Sequence, residues 1–321
     1  MSARPPESPR RPRRRSRPGP RPSRMRKILV LRGGALGDFI VTLPALALLR
    51  QRWPVASIEL AGNATAAELA RTRGLLDAVH SQHEARWSAL FGEMPVPFAT
   101  WLREFDLILN FWPDADRDLV RRFPLRPGQI FLSAPAMPAQ APAAAHYAEA
   151  LRPLGIAPLG SFCLLEPRQV VLAPTLSPAT RTGRTIAIHP GSGSPRKNWP
   201  LNRWAEICAW LRDAQRADLL IVTGEAEPAT ALTDFGRLAR NLPLESLVIE
   251  FSHCRLFLGH DSGISHLAAA CGVPSILLFG PSDPAMWAPS APHVKVLRRG
   301  AELSAIAIEE VKAAIGADPV K

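Results

Sequence analysis

The sequence predicts an α/β protein made of two parallel-sheet domains that face each other across a cleft. Short apolar, β-branched segments alternate with segments of helical spacing, as expected where helices connect parallel strands. This alternation stops in a stretch dense in proline and glycine, at about 153–183, and then starts again. With 321 residues, the chain is long enough for two domains of ordinary size.

The N-terminal domain is expected to span residues 25–165. Buried strands are predicted at 27–31, 57–61, 78–79 and 105–111, and helices at about 39–52 and 68–73. In the first helix, Pro44 either introduces a kink or occupies the first turn, and the sequence alone does not decide between them.

The C-terminal domain is expected to span residues 184–300, after a linker at 166–183. Strands are predicted at 185–189, 218–223, 256–259 and 275–279, and helices at about 201–213, 228–240 and 264–271. Residues 301–321 are expected to form a C-terminal helix, for which packing back on the N-terminal domain is one possible arrangement. Ligands of open parallel sheets bind where the strands end, so the loops after the strands are the first place to look for a site.

The positive charge of the chain is concentrated at its N terminus. Residues 1–27 hold 11 lysines and arginines and one acid, Glu7, and so carry +10 of the net charge of +11. Residues 1–24 are rich in Arg, Pro and Ser, which predicts a disordered tail. The tail is open to three interpretations: a solvated extension, an anchor on an anionic membrane surface, or a nucleic-acid binder. The last is disfavoured because no aromatic residues interleave the basic ones.

Cysteine usage and hydropathy predict a cytoplasmic protein. No apolar run reaches the roughly 18 residues that span a bilayer, and no apolar segment of a secretion signal follows the arginines. The four cysteines are widely spaced and show no metal-binding pattern, which favours buried thiols in a reducing compartment. The basic tail adds peripheral attachment to the inner face of the cytoplasmic membrane as an option.

A glycine-rich loop, residues 32–38 (RGGALGD), joins the first strand to the first helix. Gly33, Gly34 and Gly37 let another molecule approach the backbone closely. The segment is not a P-loop, because no Gly-Lys-Ser/Thr follows. Asp38 either caps the helix or acts as a catalytic base, and the residues alone leave both interpretations open.

A second loop, residues 189–200 (HPGSGSPRKNWP), has the composition of a diphosphate site. Ser192 and Gly193 expose a hydroxyl and backbone N–H groups after a strand, and Lys197 supplies a cation. The alternative is a flexible loop with a solvated lysine.

The third segment, residues 259–270, runs from a strand into a helix. Ser262 and Gly263 are placed to present N–H groups to a phosphate at the helix start. Asp261 either contributes to that site or caps the helix. His266 either contributes or is a core histidine.

Two acidic segments also follow strands. Glu225 or Glu227 would bind ribose hydroxyls, and a capping acid is an equally good interpretation. Asp114 and Asp116 form a D-x-D sequence that holds a divalent metal in some transferases, but the neighbouring charges favour a solvated turn.

Taken together and in order, these segments resemble glycosyltransferase family 9, the lipopolysaccharide heptosyltransferases. The matching elements are residues 25–30, 37–38, 42–46, 197–200, 261–267 and 279–284. The resemblance implies a GT-B fold, in which two Rossmann-like domains face each other across a cleft. It also implies an inverting, metal-independent transfer from a nucleotide sugar, ADP-heptose, to a lipopolysaccharide-core or other cell-surface glycan acceptor, with no further cofactor.

The resemblance assigns a role to each motif. Asp38 would deprotonate the acceptor hydroxyl, and Ser192, Gly193 and Lys197 would hold the diphosphate. The nucleotide-phosphate site would be lined by Asp261, Ser262, Gly263 and His266, and Glu227 would reach the ribose.

The chain departs from the family on the acceptor side. Val41 stands where some members carry histidine, and residues 110–114 lack the usual Gln-Gly. A transferase for another nucleotide sugar and a non-catalytic nucleotide-sugar-binding protein are the alternatives.

Overall fold

The computed structural model describes residues 25–157, 183–224 and 232–316. The N-terminal domain has a five-stranded parallel sheet in the order β3-β2-β1-β4-β5. Its strands are β1 (Lys27–Arg32), β2 (Ser57–Gly62), β3 (Ala78–Ser81), β4 (Leu107–Asn110) and β5 (Ile130–Ser133). Its helices are α1 (Leu36–Ile40), α2 (Leu43–Arg52), α3 (Ala64–Arg71), α4 (Val96–Arg103), α5 (Asp118–Arg122) and α6 (Ala143–Glu149).

The C-terminal domain has a six-stranded sheet in the order β11-β10-β9-β6-β7-β8, again parallel throughout. Its strands are β6 (Thr185–Ile188), β7 (Asp218–Thr223), β8 (Arg237–Arg240), β9 (Leu256–His260), β10 (Ser275–Phe279) and β11 (Val294–Arg298). Its helices are α7 (Leu201–Asp213), α8 (Leu244–Ser252), α9 (Gly263–Ala270), α10 (Pro284–Trp287) and α11 (Ile308–Gly316).

Both sheets follow the strand order of dinucleotide-binding folds. In each, the chain starts in the middle, runs to one edge and then returns to fill the other side. Strand order therefore reverses between β1 and β4 and between β6 and β9, and a crevice opens at the carboxyl ends of each pair. The prediction of two Rossmann-like parallel-sheet domains is confirmed.

The helix predicted at 39–52 is divided in two. Helix α1 ends at Ile40, and Pro44 lies in the first turn of α2. Proline lacks the N–H that a helix interior would need, but the first turn has no use for it. Pro44 therefore starts a helix rather than kinking one.

The helix predicted at 228–240 is wrong in its described part, because residues 237–240 form the edge strand β8, paired with β7. Gly236 has no side chain, which allows the chain to come this close to β7. A Cβ at this position would lie 2.3 Å from the carbonyl oxygen of Leu219.

Within the described residues, the C-terminal helix packs on its own domain and not, as one predicted arrangement had it, on the N-terminal domain. Helix α11 lies on the C-terminal domain against α7, where Val311 and Ala314 share a buried cluster with Ile207 and Leu211. Its apolar positions thus complete the outer face of the second sheet. No helix among the described residues is long and apolar enough to cross a membrane.

A single buried apolar cluster extends through both domains. It includes Phe39 and Leu46 of the N-terminal domain and Phe257 and Leu267 of the C-terminal domain. Outside this cluster, Arg73 donates from both terminal nitrogens to the two carboxylate oxygens of Glu245, at 2.8 and 2.9 Å. The domains are therefore joined by an apolar core and by an ion pair between α8 and the end of α3.

The tail at 1–24, the linker apart from residue 183, and the acids Glu225 and Glu227 lie outside the described residues. So does Cys163, whereas Cys208, Cys254 and Cys271 are buried.

Candidate active site

Asp38 lies in the first turn of α1 and performs a capping function while remaining accessible. Its Oδ2 accepts a hydrogen bond from the Ala35 N–H at 2.9 Å, and its Oδ1 faces Arg32 Nη2 at 3.3 Å. Its side chain is nevertheless 37% exposed. The two interpretations of Asp38 are therefore compatible, since a carboxylate has lone pairs to spare after two contacts.

Gly34 allows the loop to wrap around this carboxylate. Its φ of 106° lies in the left-handed region that favours glycine, and a Cβ there would be 2.6 Å from Asp38 Oδ2. A side chain at position 34 would displace the carboxylate.

Arg32, the last residue of β1, contacts both the side chain and the backbone of Asp38. The guanidinium is buried, and its Nε donates to the Asp38 carbonyl oxygen at 3.0 Å and its Nη1 to the Ala136 carbonyl oxygen at 3.2 Å. It also stacks over the Tyr147 ring at 4.4 Å. The Tyr147 hydroxyl donates to the same Ala136 oxygen at 2.7 Å, and burial raises the pKa of this phenol, which keeps its proton in place.

Sequence reasoning missed the role of Arg32. The sequence did offer one signal, since Arg32 is a charged residue at the end of an otherwise apolar strand. Its partner at position 136 lies 104 residues further along the chain, so no local spacing reveals the contact.

Lys197 and Asp261 meet at the crevice of the C-terminal sheet. Lys197 lies in the loop after β6 and Asp261 in the loop after β9, and Lys197 Nζ donates to Asp261 Oδ2 at 2.6 Å. Among the described residues the ammonium has no other hydrogen-bond acceptor, so two of its N–H groups are available for an anion. The structure thus brings together two motifs that the sequence placed 64 residues apart.

Ser192 and Gly193 occupy the loop that carries Lys197. The Ser192 hydroxyl lies 2.8 Å from the Ser194 carbonyl oxygen and 2.6 Å from Asn198 Oδ1. It can donate its one proton to only one of them at a time, and both contacts serve the fold of the loop. Gly193 is exposed, with nothing within 4 Å of a Cβ at its position. The phosphate-binding role of both residues stays a prediction.

His260 fixes this loop to the sheet, and sequence reasoning gave it no role. The ring is fully buried at the end of β9, where Nε2 accepts from the Trp199 N–H at 2.8 Å and Nδ1 donates to the Gly191 carbonyl oxygen at 3.4 Å. Burial lowers the pKa of His260 to about 3. The ring is therefore neutral at ordinary pH, as it must be for Nε2 to accept the hydrogen bond from the Trp199 N–H.

Helix α9 begins at the same crevice. Ser262 is its N-cap, and its Oγ accepts from the Ser265 N–H at 3.2 Å. His266 lies one turn further on, and its burial lowers the pKa of its imidazole. The nearby Asp261 and Asp38 carboxylates oppose that shift, and the Lys197 ammonium adds to it. His266 is therefore close to the charged groups of both domains.

The two domains meet where α1 and α9 pack against each other, a contact we call the α1–α9 seam. A Cβ on Gly263 would lie 3.0 Å from the Gly37 backbone nitrogen, so the two backbones nearly touch. A Cβ on Gly37 would lie 3.6 Å from His266 Cδ2. The seam thus places the helix that carries Asp38 directly against the helix that carries His266.

The structure describes one of the two acidic segments, the D-x-D sequence of Asp114 and Asp116. The Asp114 carboxylate accepts from the Leu119 N–H at 2.9 Å and from the Val120 N–H at 3.4 Å, and so caps α5. Asp116 is exposed beside it. No group of three or more His, Cys, Asp or Glu suited to a metal occurs within the described ranges.

Comparison with solved structures shows the fold. The glycosyl transferase family 9 protein from Veillonella parvula DSM 2008 superposes with a TM-score of 0.70 and 20% identity, covering 92% of this chain and 97% of the other. The E. coli heptosyltransferase WaaC with ADP superposes with a TM-score of 0.69 and 19% identity, covering 91% and 99%. The chain therefore has the GT-B fold, as expected.

Sequence comparison finds a family match in the C-terminal half of the chain. Residues 166–313 match the model of glycosyltransferase family 9 (heptosyltransferase). Lipopolysaccharide heptosyltransferase 2 of Escherichia coli strain K12 is 32% identical over 124 residues, which is 35% of this chain and 36% of that protein. The matched segment thus spans about a third of the length of this curated relative. Residues 166–313 are thus similar to glycosyltransferase family 9, which agrees with the resemblance drawn from the motifs.

Proposed function

We propose that this protein is an inverting, metal-independent glycosyltransferase. It would move a sugar, heptose from ADP-heptose, onto a lipopolysaccharide-core or other cell-surface glycan. The family match and the relatives' names support a sugar transfer of this class. The solved WaaC structure with ADP supports an adenine nucleotide as the donor's carrier.

One observation carries the proposal: the α1–α9 seam brings a half-exposed carboxylate from one crevice to a lysine–aspartate pair from the other. Inversion by direct displacement needs a base on the acceptor hydroxyl and a stabilised leaving group. Asp38 supplies the base, held by Arg32 and the Ala35 N–H. Lys197 supplies the cation for the departing diphosphate, and the N terminus of α9 adds backbone N–H groups.

The mechanism follows from these positions. Asp38 removes the proton of the acceptor hydroxyl as the oxygen attacks the anomeric carbon, and the bond from that carbon to the diphosphate breaks on the opposite side. Lys197 and the α9 N–H groups take up the negative charge that develops on the leaving diphosphate. His266, buried close to Asp261 and Asp38, would line the nucleotide-phosphate site.

Asp38→Asn tests the proposal. The amide retains an oxygen that can accept from the Ala35 N–H but is no base, so turnover should fall by about 10²- to 10⁴-fold with ADP affinity unchanged. Asp114→Asn is the matched control, because Asp114 is a carboxylate of the same domain that only caps a helix. Equal turnover in Asp38→Asn and wild type would contradict the proposal.

Calorimetric titration with ADP, UDP and GDP tests the nucleotide. Tight binding of ADP alone supports an ADP-linked donor, and preference for UDP or GDP would favour the same-fold alternative. ADP binding without transfer to any acceptor would favour a nucleotide-sugar-binding protein.

We place the reaction in the cytoplasm, at the inner face of the cytoplasmic membrane. The charge of residues 1–27 supports attraction to anionic lipid, at about 1 kcal/mol per basic residue near the surface. Sedimentation with anionic vesicles, with and without residues 1–24, tests this. Equal binding of the two forms would contradict it.

A further inference from the structure

We propose that Trp112 forms an acceptor subsite, whose indole packs against the C–H face of a sugar ring in the acceptor glycan. This inference rests on the proposed function and extends it to the acceptor, the side on which the sequence departs from its family. Four features of the N-terminal domain support it: the position and rigidity of this residue, the glycine loop between it and Asp38, and the chemistry of its side chain.

The position of Trp112 is that of a ligand-binding residue in an open parallel sheet. Strand order in the N-terminal sheet reverses between β1 and β4, and a crevice opens at their carboxyl ends. Asp38 lies in the first turn of α1, the helix that follows β1, and Trp112 follows β4 by two residues. The base and the indole therefore both lie just after the two strands that form one crevice.

A buried amide holds Trp112 in place. The Asn110 side chain is fully buried, and its Oδ1 accepts from the Trp112 N–H at 2.9 Å. Its Nδ2 donates to Ser133 Oγ at 3.1 Å and lies 3.4 Å from the Trp112 carbonyl oxygen. The indole also makes a perpendicular contact with Trp87, with ring centroids 5.4 Å apart. Asn110 thus fixes the backbone of Trp112 and Trp87 supports the indole, so the residue loses little freedom on binding, which favours affinity.

Two glycines separate the indole from the base. A Cβ on Gly33 would lie 3.5 Å from Trp112 Nε1, and a Cβ on Gly34 would lie 2.6 Å from Asp38 Oδ2. Neither glycine carries a side chain of its own on this path. The Gln82 side chain lies against the loop, where its Oε1 accepts from the Gly34 N–H at 3.2 Å and would be 3.1 Å from a Cβ on Gly33. A hydroxyl that reaches Asp38 brings its own sugar ring close to Trp112.

The chemistry of the indole suits a pyranose. Trp112 is partly exposed, and its Nε1–H has no acceptor among the described residues. An aromatic face offers an apolar platform, and the N–H offers a donor at its edge. A sugar ring presents C–H groups on one face and hydroxyls around its rim, so it matches both.

The test compares Trp112→Ala and Trp112→Phe with the matched control Trp101→Phe. Trp101 contacts the same Trp87, at 6.0 Å between centroids, but lies on α4 rather than in the crevice. The probes are ADP and a deacylated lipopolysaccharide oligosaccharide. Calorimetry measures the binding of each, and a coupled assay measures ADP release during transfer.

Trp112→Ala should raise the Kd and KM for the oligosaccharide at least tenfold, and Trp112→Phe by about threefold, because phenylalanine keeps part of the face. ADP affinity should stay within twofold in all variants, and Trp101→Phe should match wild type.

The outcomes separate the two proposals. The subsite proposal is overturned if Trp112→Ala binds the oligosaccharide as tightly as wild type does. It is also overturned if wild type binds ADP but not the oligosaccharide. If wild type binds the oligosaccharide, Trp112→Ala does not, and no transfer occurs, the subsite stands and the proposed transferase function fails.

Discussion

Gly263→Ala should impair the α1–α9 seam without unfolding either domain. The new Cβ would lie 3.0 Å from both the Gly37 backbone nitrogen and Leu36 Cβ, about 0.4 Å inside ordinary contact. Because one of these neighbours is backbone, α1 as a whole must move. Overpacking of this kind costs about 1–3 kcal/mol.

That cost applies to the arrangement that holds Asp38 close to the Lys197–Asp261 pair. If the whole cost falls on this arrangement, kcat/KM should decrease by about 5- to 150-fold. The melting temperature should not fall in parallel, since alanine is the better helix former by up to about 1 kcal/mol. ADP affinity should stay within threefold, because the backbone N–H groups of α9 remain.

Steady-state kinetics with ADP calorimetry and thermal melting measure all three quantities. Gly37→Ala is the matched variant, since its Cβ would lie 3.5 Å from Gly263 Cα, an ordinary contact, and its effect on kcat/KM should be much smaller. If Gly263→Ala keeps kcat/KM within twofold of wild type, close contact at the seam is not needed for catalysis.

Three further predictions concern single residues. Below pH 6.5 the unfolded chain protonates His260, whereas the folded ring, with a pKa of about 3, stays neutral, so falling pH favours unfolding. Between about pH 7.5 and 5, this difference in protonation lowers the free energy of unfolding by about 2 kcal/mol. Denaturant melts of His260→Gln should lack this pH dependence. Lys197→Met should weaken ADP binding about 10- to 100-fold in low-salt calorimetry, and unchanged affinity would exclude Lys197 from the phosphate site. Arg32→Lys should lower kcat at least about tenfold with ADP affinity unchanged, because an ammonium cannot reproduce the planar fork that holds Asp38; kcat within twofold would contradict this.

Strands of continuous apolar residues were predictable to within a residue or two. Strands β7 (Asp218–Thr223) and β10 (Ser275–Phe279) coincide with their predicted bounds. Both lie inside their sheet, where burial on two faces leaves a sequence signal that needs no context. The edge strand β8 lacks that signal, since of its four residues only Ala239 is buried. A short segment with polar neighbours is compatible with a helix or a strand. At residues 237–240, pairing with β7 determines that the segment is a strand.

The site was predictable where chemistry follows a strand, and not where it depends on distant backbone. Asp38, Lys197 and Asp261 each follow a strand closely. Strand order brings Lys197 and Asp261 together, and the α1–α9 seam adds Asp38. Arg32 depends on the Ala136 carbonyl oxygen, and His260 on the position of Gly191. Backbone partners carry no side-chain signature, so the sequence does not reveal them.

The apolar cluster that extends through both domains makes the family match unsuitable as a boundary for dissection. Residues 166–313 are recognisable by homology, yet Phe257 and Leu267 share their core with Phe39 and Leu46 outside that segment. Expressed by itself, the matched segment would expose this surface to water and favour aggregation. A core substitution in the N-terminal half can then weaken nucleotide binding from afar. Loss of binding in a mutational scan therefore does not by itself locate a nucleotide contact.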